Sequence, residues 1–328
     1  MIQPNQTNRA NHPLDNVIAE CRKVIVGQGF MLNRLMIALL CRGHVLLEGL
    51  PGLAKTRAVK TLAQATRLIF RRIQFTPDLL PSDVTGTLIY DPKNLTFTPR
   101  AGPIFANLLL ADEINRAPSK VQSALLEAME ERQVTIGEDS FALPEPFLVM
   151  ATQNPIEQEG TFPLPEAQMD RFLFKLKVGY PTREEEIEIL RRNDAGEEAV
   201  NAVMDAGQIA MAVQKANDVK IDEAIRAYIV RIVQETRVER ASGSGSGKAW
   251  KGKEFLRCGA SPRAALALQA ASKALAYLSG RSYALPDDVV SLAPDVLRHR
   301  LLLTFEAEAD SVDTDQAIQS LMASIPRP

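Results

Sequence analysis

The stretch "EGLPGLAKTRAV", Glu48–Val59, decides how the rest of the chain is read. Gly49, Gly52, Lys55 and Thr56 stand at the spacing of a phosphate-binding loop, but Ala54 takes the place of the usual glycine. Such a loop needs glycines where backbone N–H groups converge on an anion, a lysine for the outer phosphates and a hydroxyl for magnesium. "HVLLE", His44–Glu48, leads in as a strand, and "KTRAVKTLAQA", Lys55–Ala65, leads out as a helix. Alanine is acceptable before the lysine at negative φ and strained at positive φ. Ala54 is therefore expected at negative φ at the helix entry, with Gly52 left for the bend. Taken alone, the stretch fits either a nucleotide site or an ordinary strand–turn–helix junction.

"NLLLADEINRAP", Asn107–Pro118, weighs toward the nucleotide site. An apolar strand ends there in Asp112 and Glu113. Adjacent carboxylates at the end of a buried strand are costly unless they hold a cation or do chemistry. Asp112 suits magnesium, and Glu113 suits polarising an attacking water. "FLVMATQNP", Phe147–Pro155, ends a third apolar strand in Asn154, whose amide can orient a water beside a γ-phosphate.

The composition excludes several classes. The 328 residues allow one large or two ordinary domains, and the 46% hydrophobic content is that of a globular protein. A formal net charge of −2 gives no global pull toward nucleic acid. Met31–Leu40, the best apolar run, is short and carries Asn33 and Arg34, so no membrane span is expected. Cys21, Cys41 and Cys258 are odd in number and far apart, which suits a reducing, cytoplasmic setting. His12, His44 and His299 form no zinc-spaced cluster with them.

Up to Pro181, short apolar runs alternate with helical stretches, the pattern of an α/β layer fold with a buried parallel sheet. His44–Glu48, Arg72–Phe75, Asn107–Glu113, Phe147–Asn154 and Phe172–Val178 read as strands, and Pro118–Arg132 as an amphipathic helix. Beyond Pro181 the strands stop. Helices are expected over Ala206–Asn217, Asp222–Arg237, Pro262–Ser279 and from Pro286 onward, with another opening at "TREEEIEILRRN". The division is a loose tail at 1–14, an α/β domain at 15–181 and a helical domain at 182–328, with a Gly/Ser-rich loop at 241–253. Lys248, Trp250, Lys251, Lys253 and Arg257 in and after that loop form either a basic-aromatic patch or a solvated loop, the second being the commoner case.

The runs "GPIFANLLLADEINRAPSKVQSALLEAMEERQVTI", "MATQNPIEQEGTFPLPEAQMDRF" and "GASPRA" occur in an order that resembles the MoxR family of AAA+ ATPases, from about Leu14 onward. "EGLPGLAKT" is similar to the family's own phosphate loop. The resemblance implies a P-loop three-layer α/β sandwich around a parallel sheet, followed by a smaller all-α lid. It implies ATP and Mg2+ as ligands. Gly49, Pro51, Gly52, Leu53, Ala54, Lys55 and Thr56 would form the Walker A loop, Asp112 and Glu113 Walker B, and Asn154 sensor 1. Arg171 in "MDRF" would be an arginine finger reaching a neighbouring subunit, and Arg263 in "GASPRA" sensor 2. Val26 and Gly27 in "VIVGQ" would line the adenine pocket. "GTLIYDPKNLTFTPRAGPIF" resembles an insertion in the second helix and "TIGEDSFALPEPF" a hairpin before sensor 1, both facing the pore of a ring. The Gly/Ser insertion departs from the family pattern and bears on the reach of Arg263.

The function so implied is a ring-forming ATPase, a hexamer, that remodels client proteins, including ones with von Willebrand factor A domains. A nucleic-acid motor or loader and a nucleotide-switched scaffold are the alternatives on the same fold.

Overall fold

The computed structural model describes residues 12–49, 55–154, 160–196, 198–237, 250 and 252–328. The chain opens with α1 (Pro13–Val24) and α2 (Gly29–Leu40), followed by β1 (Val45–Glu48), α3 (Lys55–Ala65), β2 (Phe70–Gln74) and the short α4 (Pro81–Thr85). A hairpin of β3 (Gly86–Asp91) and β4 (Thr96–Ala101) precedes β5 (Leu108–Asp112) and α5 (Ser119–Glu131). A second hairpin, β6 (Gln133–Ile136) and β7 (Asp139–Ala142), leads to β8 (Leu148–Gln153), α6 (Glu166–Met169) and β9 (Phe174–Lys177). The helices α7 (Arg183–Ala195), α8 (Ala206–Asn217) and α9 (Glu223–Glu235) follow. The chain ends with β10 (Leu256–Cys258), α10 (Pro262–Leu278), α11 (Pro286–Leu297), β11 (Leu302–Leu303), α12 (Phe305–Ala309) and α13 (Thr314–Ser324).

The tail expected up to residue 14 is too long. Residues 1–11 lie outside the described residues, and Pro13 and Leu14 already belong to α1. Proline at a first helical position loses nothing by lacking an N–H, and the buried Leu14 side chain anchors the turn. In α2, Met31, Leu32 and every residue from Arg34 to Leu40 are buried, so this helix shows no polar stripe.

The five apolar runs form one sheet in the order β2-β5-β8-β1-β9. β2 pairs with β5, β5 with β8 and β8 with β1, all parallel. In this register Glu48 lies opposite Gln153, Ala111 opposite Ala151 and Gln74 opposite Asp112. The carboxyl ends of β1, β5 and β8 thus share one edge of the sheet, where ligands of open α/β folds bind.

His44 locks this layer from inside. Its Nε2 donates to the Met129 carbonyl of α5 at 3.1 Å, and its Nδ1 accepts from the Val149 N–H of β8 at 3.0 Å. The Phe147 ring stands edge-on at 5.7 Å.

Contacts divide the chain into two compact units. The first runs to Leu164 and includes Leu176–Gln214; the second comprises Pro165–Lys175 and Lys215–Pro328. The division therefore does not fall at Pro181 alone. Segments after Pro181 remain tied to the α/β unit: Arg192 donates to the Arg22 and Lys23 carbonyls at the end of α1, and the Val203 N–H donates to Ala65 at the end of α3. The short segment Pro165–Lys175 packs with the helices instead.

The described residues of the second unit are mainly α-helical, with a small antiparallel ribbon. There β10 pairs antiparallel with β11, two strands that the sequence reading does not register. Trp250 is buried in this unit and donates its indole N–H to the Glu235 carbonyl at 3.0 Å. Lys253 pairs with Glu235, and Arg257 with Glu166. The exposed basic-aromatic patch is thereby lost, since its aromatic is core; Lys248 and Lys251 lie outside the described residues. Cys21, Cys41 and Cys258 are free.

Burial pushes the pKa of His44 down from 6.5 to about 4, against the Met129 carbonyl, with the Arg132 charge lowering it further. Burial also drives His299 well below its ordinary value, with Arg300 the next cause. Both are neutral in the fold and titrate normally when unfolded. As pH falls, the unfolded chain binds more protons, so the stability these residues provide is complete above pH ~6.5 and lost below it. The urea midpoint is expected to drop steadily from pH 6.5 toward 4, each histidine withdrawing up to about 1.4 kcal/mol per pH unit. A midpoint unchanged between pH 7 and 4.5 would contradict the buried neutral state.

Candidate active site

The shared edge of the sheet is built residue by residue. β1 ends at Glu48, and Gly49 follows where a side chain has no room: a Cβ there would lie 2.7 Å from the Val178 carbonyl oxygen after β9. The Gly49 N–H donates to the Gln153 carbonyl at 3.4 Å, tying the loop entry to β8. The chain is described again from Lys55, in the first turn of α3. Ala58, Val59, Leu62 and Ala63 bury one face of that helix and fix its direction. Pro51, Gly52, Leu53 and Ala54 lie outside the described residues, and with them the expected φ of Ala54.

Lys55 Nζ donates to the Gly49 carbonyl, which turns the ammonium back across the loop. Burial pushes its pKa below the ordinary lysine value, and the Asp112 and then the Glu113 carboxylates oppose that shift. The lysine of one strand–helix junction and the acidic pair of another strand therefore share one electrostatic environment. Thr56, half-buried, follows in the same turn.

Thr152 of β8 organises the acidic pair. Its hydroxyl donates to Asp112 Oδ1 at 2.6 Å and accepts the Glu113 N–H at 2.9 Å. Asp112 Oδ2 receives Arg72 of β2 through Nε at 3.1 Å and Nη2 at 2.6 Å. Gln74, two residues further along β2, donates to Glu113 Oε2 at 2.8 Å, and Arg116 Nη1 reaches the same oxygen at 3.1 Å. Glu113 itself has φ +57°, the left-handed region, at the step from β5 into a 3-10 turn over Ile114–Arg116. A non-glycine residue held there costs on the order of 1–3 kcal/mol, a strain found mostly at functional positions.

Sequence reasoning missed Arg72, Gln74, Thr152 and Arg116. For Arg72, Gln74 and Thr152 the signal is the parallel register, which sets β2 beside β5 and β5 beside β8; Arg116 stands three residues after Glu113, a local pair. Asn154, half-buried, directly follows β8 at the same edge. Val26 and Gly27 join α1 to α2 in the same unit. Gly27 has φ +75°, and a Cβ on it would lie 2.6 Å from the Glu185 carboxyl carbon. Arg171 and Arg263 belong to the other unit. Arg171, half-buried, follows α6; Arg263, exposed, sits in the first turn of α10 behind its N-cap Ser261.

The donor chemistry fits a magnesium nucleotide. Asp112 and Thr56 offer hard oxygen ligands of the kind magnesium takes, one or two from protein with the rest from phosphate and water. Among the described residues no group of three or more His, Cys, Asp or Glu could hold a metal by protein alone. No helix among them is long and apolar enough to cross a membrane.

Comparison with known proteins identifies the family and the fold. Residues 44–174 match the ATPase family associated with various cellular activities, and residues 253–321 match the AAA lid domain. Chaperone MoxR1 of Mycobacterium tuberculosis is 48% identical over 97% of this chain and 83% of its own. The uncharacterized protein YeaC of Bacillus subtilis is 43% identical over 97% of this chain and 96% of its own. Protein MoxR of Paracoccus denitrificans is 30% identical over 93% of both chains. A crystal structure from Cytophaga hutchinsonii, 45% identical, superposes with a TM-score of 0.88 over 96% of this chain and 95% of that one. The chain belongs to the MoxR family of AAA+ ATPases and has its α/β nucleotide-binding fold with a helical lid.

Proposed function

We propose that the chain hydrolyses ATP to ADP and phosphate, and uses the cycle in a ring, a hexamer, to remodel client proteins in the cytoplasm. The observation that carries this reading is the joint setting of Lys55, Asp112 and Glu113 at one sheet edge. Gly49, Pro51, Gly52, Leu53, Ala54, Lys55 and Thr56 bind the phosphates, and Val26 and Gly27 the base. Thr56 and Asp112 would hold a magnesium ion, whose charge would balance that of the phosphate oxygens. Arg72 engages Asp112 Oδ2 and Thr152 engages Oδ1, so a metal held by Asp112 would meet a carboxylate that is already hydrogen-bonded.

Glu113 acts as the base that polarises the attacking water, and Asn154 orients that water. Both oxygens of a useful base must not be committed. Here one oxygen, Oε2, takes both Gln74 and Arg116. Arg171 supplies positive charge to a neighbouring subunit's site and Arg263 to its own, the charge that phosphoryl transfer develops.

The remodelling role is supported by the name of the Mycobacterium tuberculosis relative, a chaperone, and by the β3–β4 hairpin. That hairpin exposes Leu88, Ile89, Tyr90, Leu95 and Phe97, with the Tyr90 and Phe97 rings 5.3 Å apart. Leu88 also packs over Gly137 of the β6–β7 hairpin. Such a surface suits polypeptide more than a nucleic-acid backbone, which needs cations. Clients with von Willebrand factor A domains are included in the proposal.

Glu113→Gln is expected to bind ATP within a few-fold of wild type and to lose at least about 100-fold in phosphate release. Lys55→Ala is expected to lose nucleotide binding, read by a fluorescent ATP analogue. Full turnover by the Glu113→Gln protein would remove Glu113 from the role of base. Arg171→Ala, which alone is expected to keep only a small, measurable residual activity, is expected to regain activity when mixed with Glu113→Gln, because mixed rings contain sites with an intact Glu113 facing an intact Arg171. Rates in all mixtures no higher than the separate variants would sink action between subunits.

A further inference from the structure

We propose that Asp170 is a positioning residue that couples Arg171 to Arg263, so that the two arginines act as one device. The proposal rests on the roles given to those arginines above. All the residues concerned lie within the second compact unit.

The coupling starts from Arg300, a buried guanidinium just after α11. Its Nε donates to Asp170 Oδ1 at 2.7 Å, and its Nη2 donates to the Asp170 carbonyl at 3.1 Å and the Phe172 carbonyl at 2.7 Å. Its Nη1 donates to the Leu173 carbonyl at 3.3 Å and to the Val296 carbonyl of α11. Five contacts answer the five N–H donors of an arginine, which is how a buried guanidinium is kept and why it holds its acceptors in one geometry. His299 adds a bond from Nε2 to the Phe172 carbonyl at 3.0 Å. The backbone on both sides of Arg171 is thus clamped to the end of α11.

The remaining oxygen of Asp170 points the other way. Asp170 Oδ2 accepts the Ser261 hydroxyl at 2.9 Å. Ser261 is the N-cap of α10, and its Oγ accepts the Arg263 N–H at 3.2 Å. One carboxylate therefore spans the segment that carries Arg171 and the helix start that carries Arg263. Neither contact touches nucleotide chemistry directly. Both set where the two guanidinium groups can reach.

In this arrangement, a displacement of Arg263 when nucleotide binds is passed through Ser261 and Asp170 to Arg171. Occupancy of one site then changes the charge offered to the next. This gives the ring communication through two hydrogen bonds and one covalent step.

Ser261→Asp is the discriminating variant. Aspartate still caps α10 by accepting the Arg263 N–H, but it cannot donate to Asp170 and repels it. Ser261→Thr keeps both the cap and the donor. The steady-state ATPase of Ser261→Asp is expected to lose about tenfold in kcat, with KM for ATP within twofold, as a misplaced but intact group does. Ser261→Thr is expected to restore kcat. In an Arg171→Ala background, Ser261→Asp should cost less than twofold more, because its effect runs through Arg171. The same loss in both backgrounds, or wild-type kcat for Ser261→Asp, would overturn the coupling. An Arg171→Ala protein with unchanged kcat would instead overturn the role of Arg171 itself.

Discussion

One hydroxyl, Thr152 Oγ1, holds the acidic pair in place. It gives its proton to Asp112 and takes the N–H of Glu113, and it is almost wholly buried while doing so. A threonine near the end of a strand would not normally attract notice. Here the parallel pairing of β5 and β8 sets Thr152 one step beyond the Ala111–Ala151 pair. The hydrogen bond to its N–H helps secure the left-handed Glu113, a conformation that its side chain alone disfavours. The rest of the site depends on this junction. Lys55 needs the carboxylates where they are, and Arg72 and Gln74 of the edge strand answer to them.

Charge balance around that edge is close. Three cationic side chains, Lys55, Arg72 and Arg116, face two carboxylates. Arg72 is about half exposed, so its pair with Asp112 is screened and yields readily. Arg300 is the opposite case. Its guanidinium is buried and fully bonded, and it serves to define backbone rather than to exchange partners.

Much of the α/β layer is legible in the sequence because a parallel sheet with both faces covered writes short, continuous apolar runs. "HVLLE", "NLLLADE" and "FLVMATQ" are such runs, and each became a strand. Asp112 and Glu113 draw notice in the sequence because two carboxylates close an apolar strand, and Lys55 because it opens the helix that follows another. Other features have no local trace. Burial of nearly every residue of α2 erases the 3.6-residue stripe that would announce a helix. Arg72 and Thr152 are ordinary residues until the register makes them neighbours of Asp112. Trp250 reads as a surface aromatic beside lysines, yet it fills the lid core and bonds Glu235. The segment Pro165–Lys175 looks like part of the α/β domain, but four bonds from Arg300, together with those of His299, Ser261 and Arg257, tie it to the helices.

The most direct measurement of the central claim is phosphate release by a Thr152→Val protein alongside nucleotide binding. Valine keeps the shape and removes the hydroxyl, leaving Glu113 and Asp112 without their common anchor. ATP affinity is expected within a few-fold of wild type and kcat lower by about tenfold or more. A Thr152→Val protein that hydrolyses ATP at the wild-type rate would contradict the claim that this junction sets the catalytic geometry.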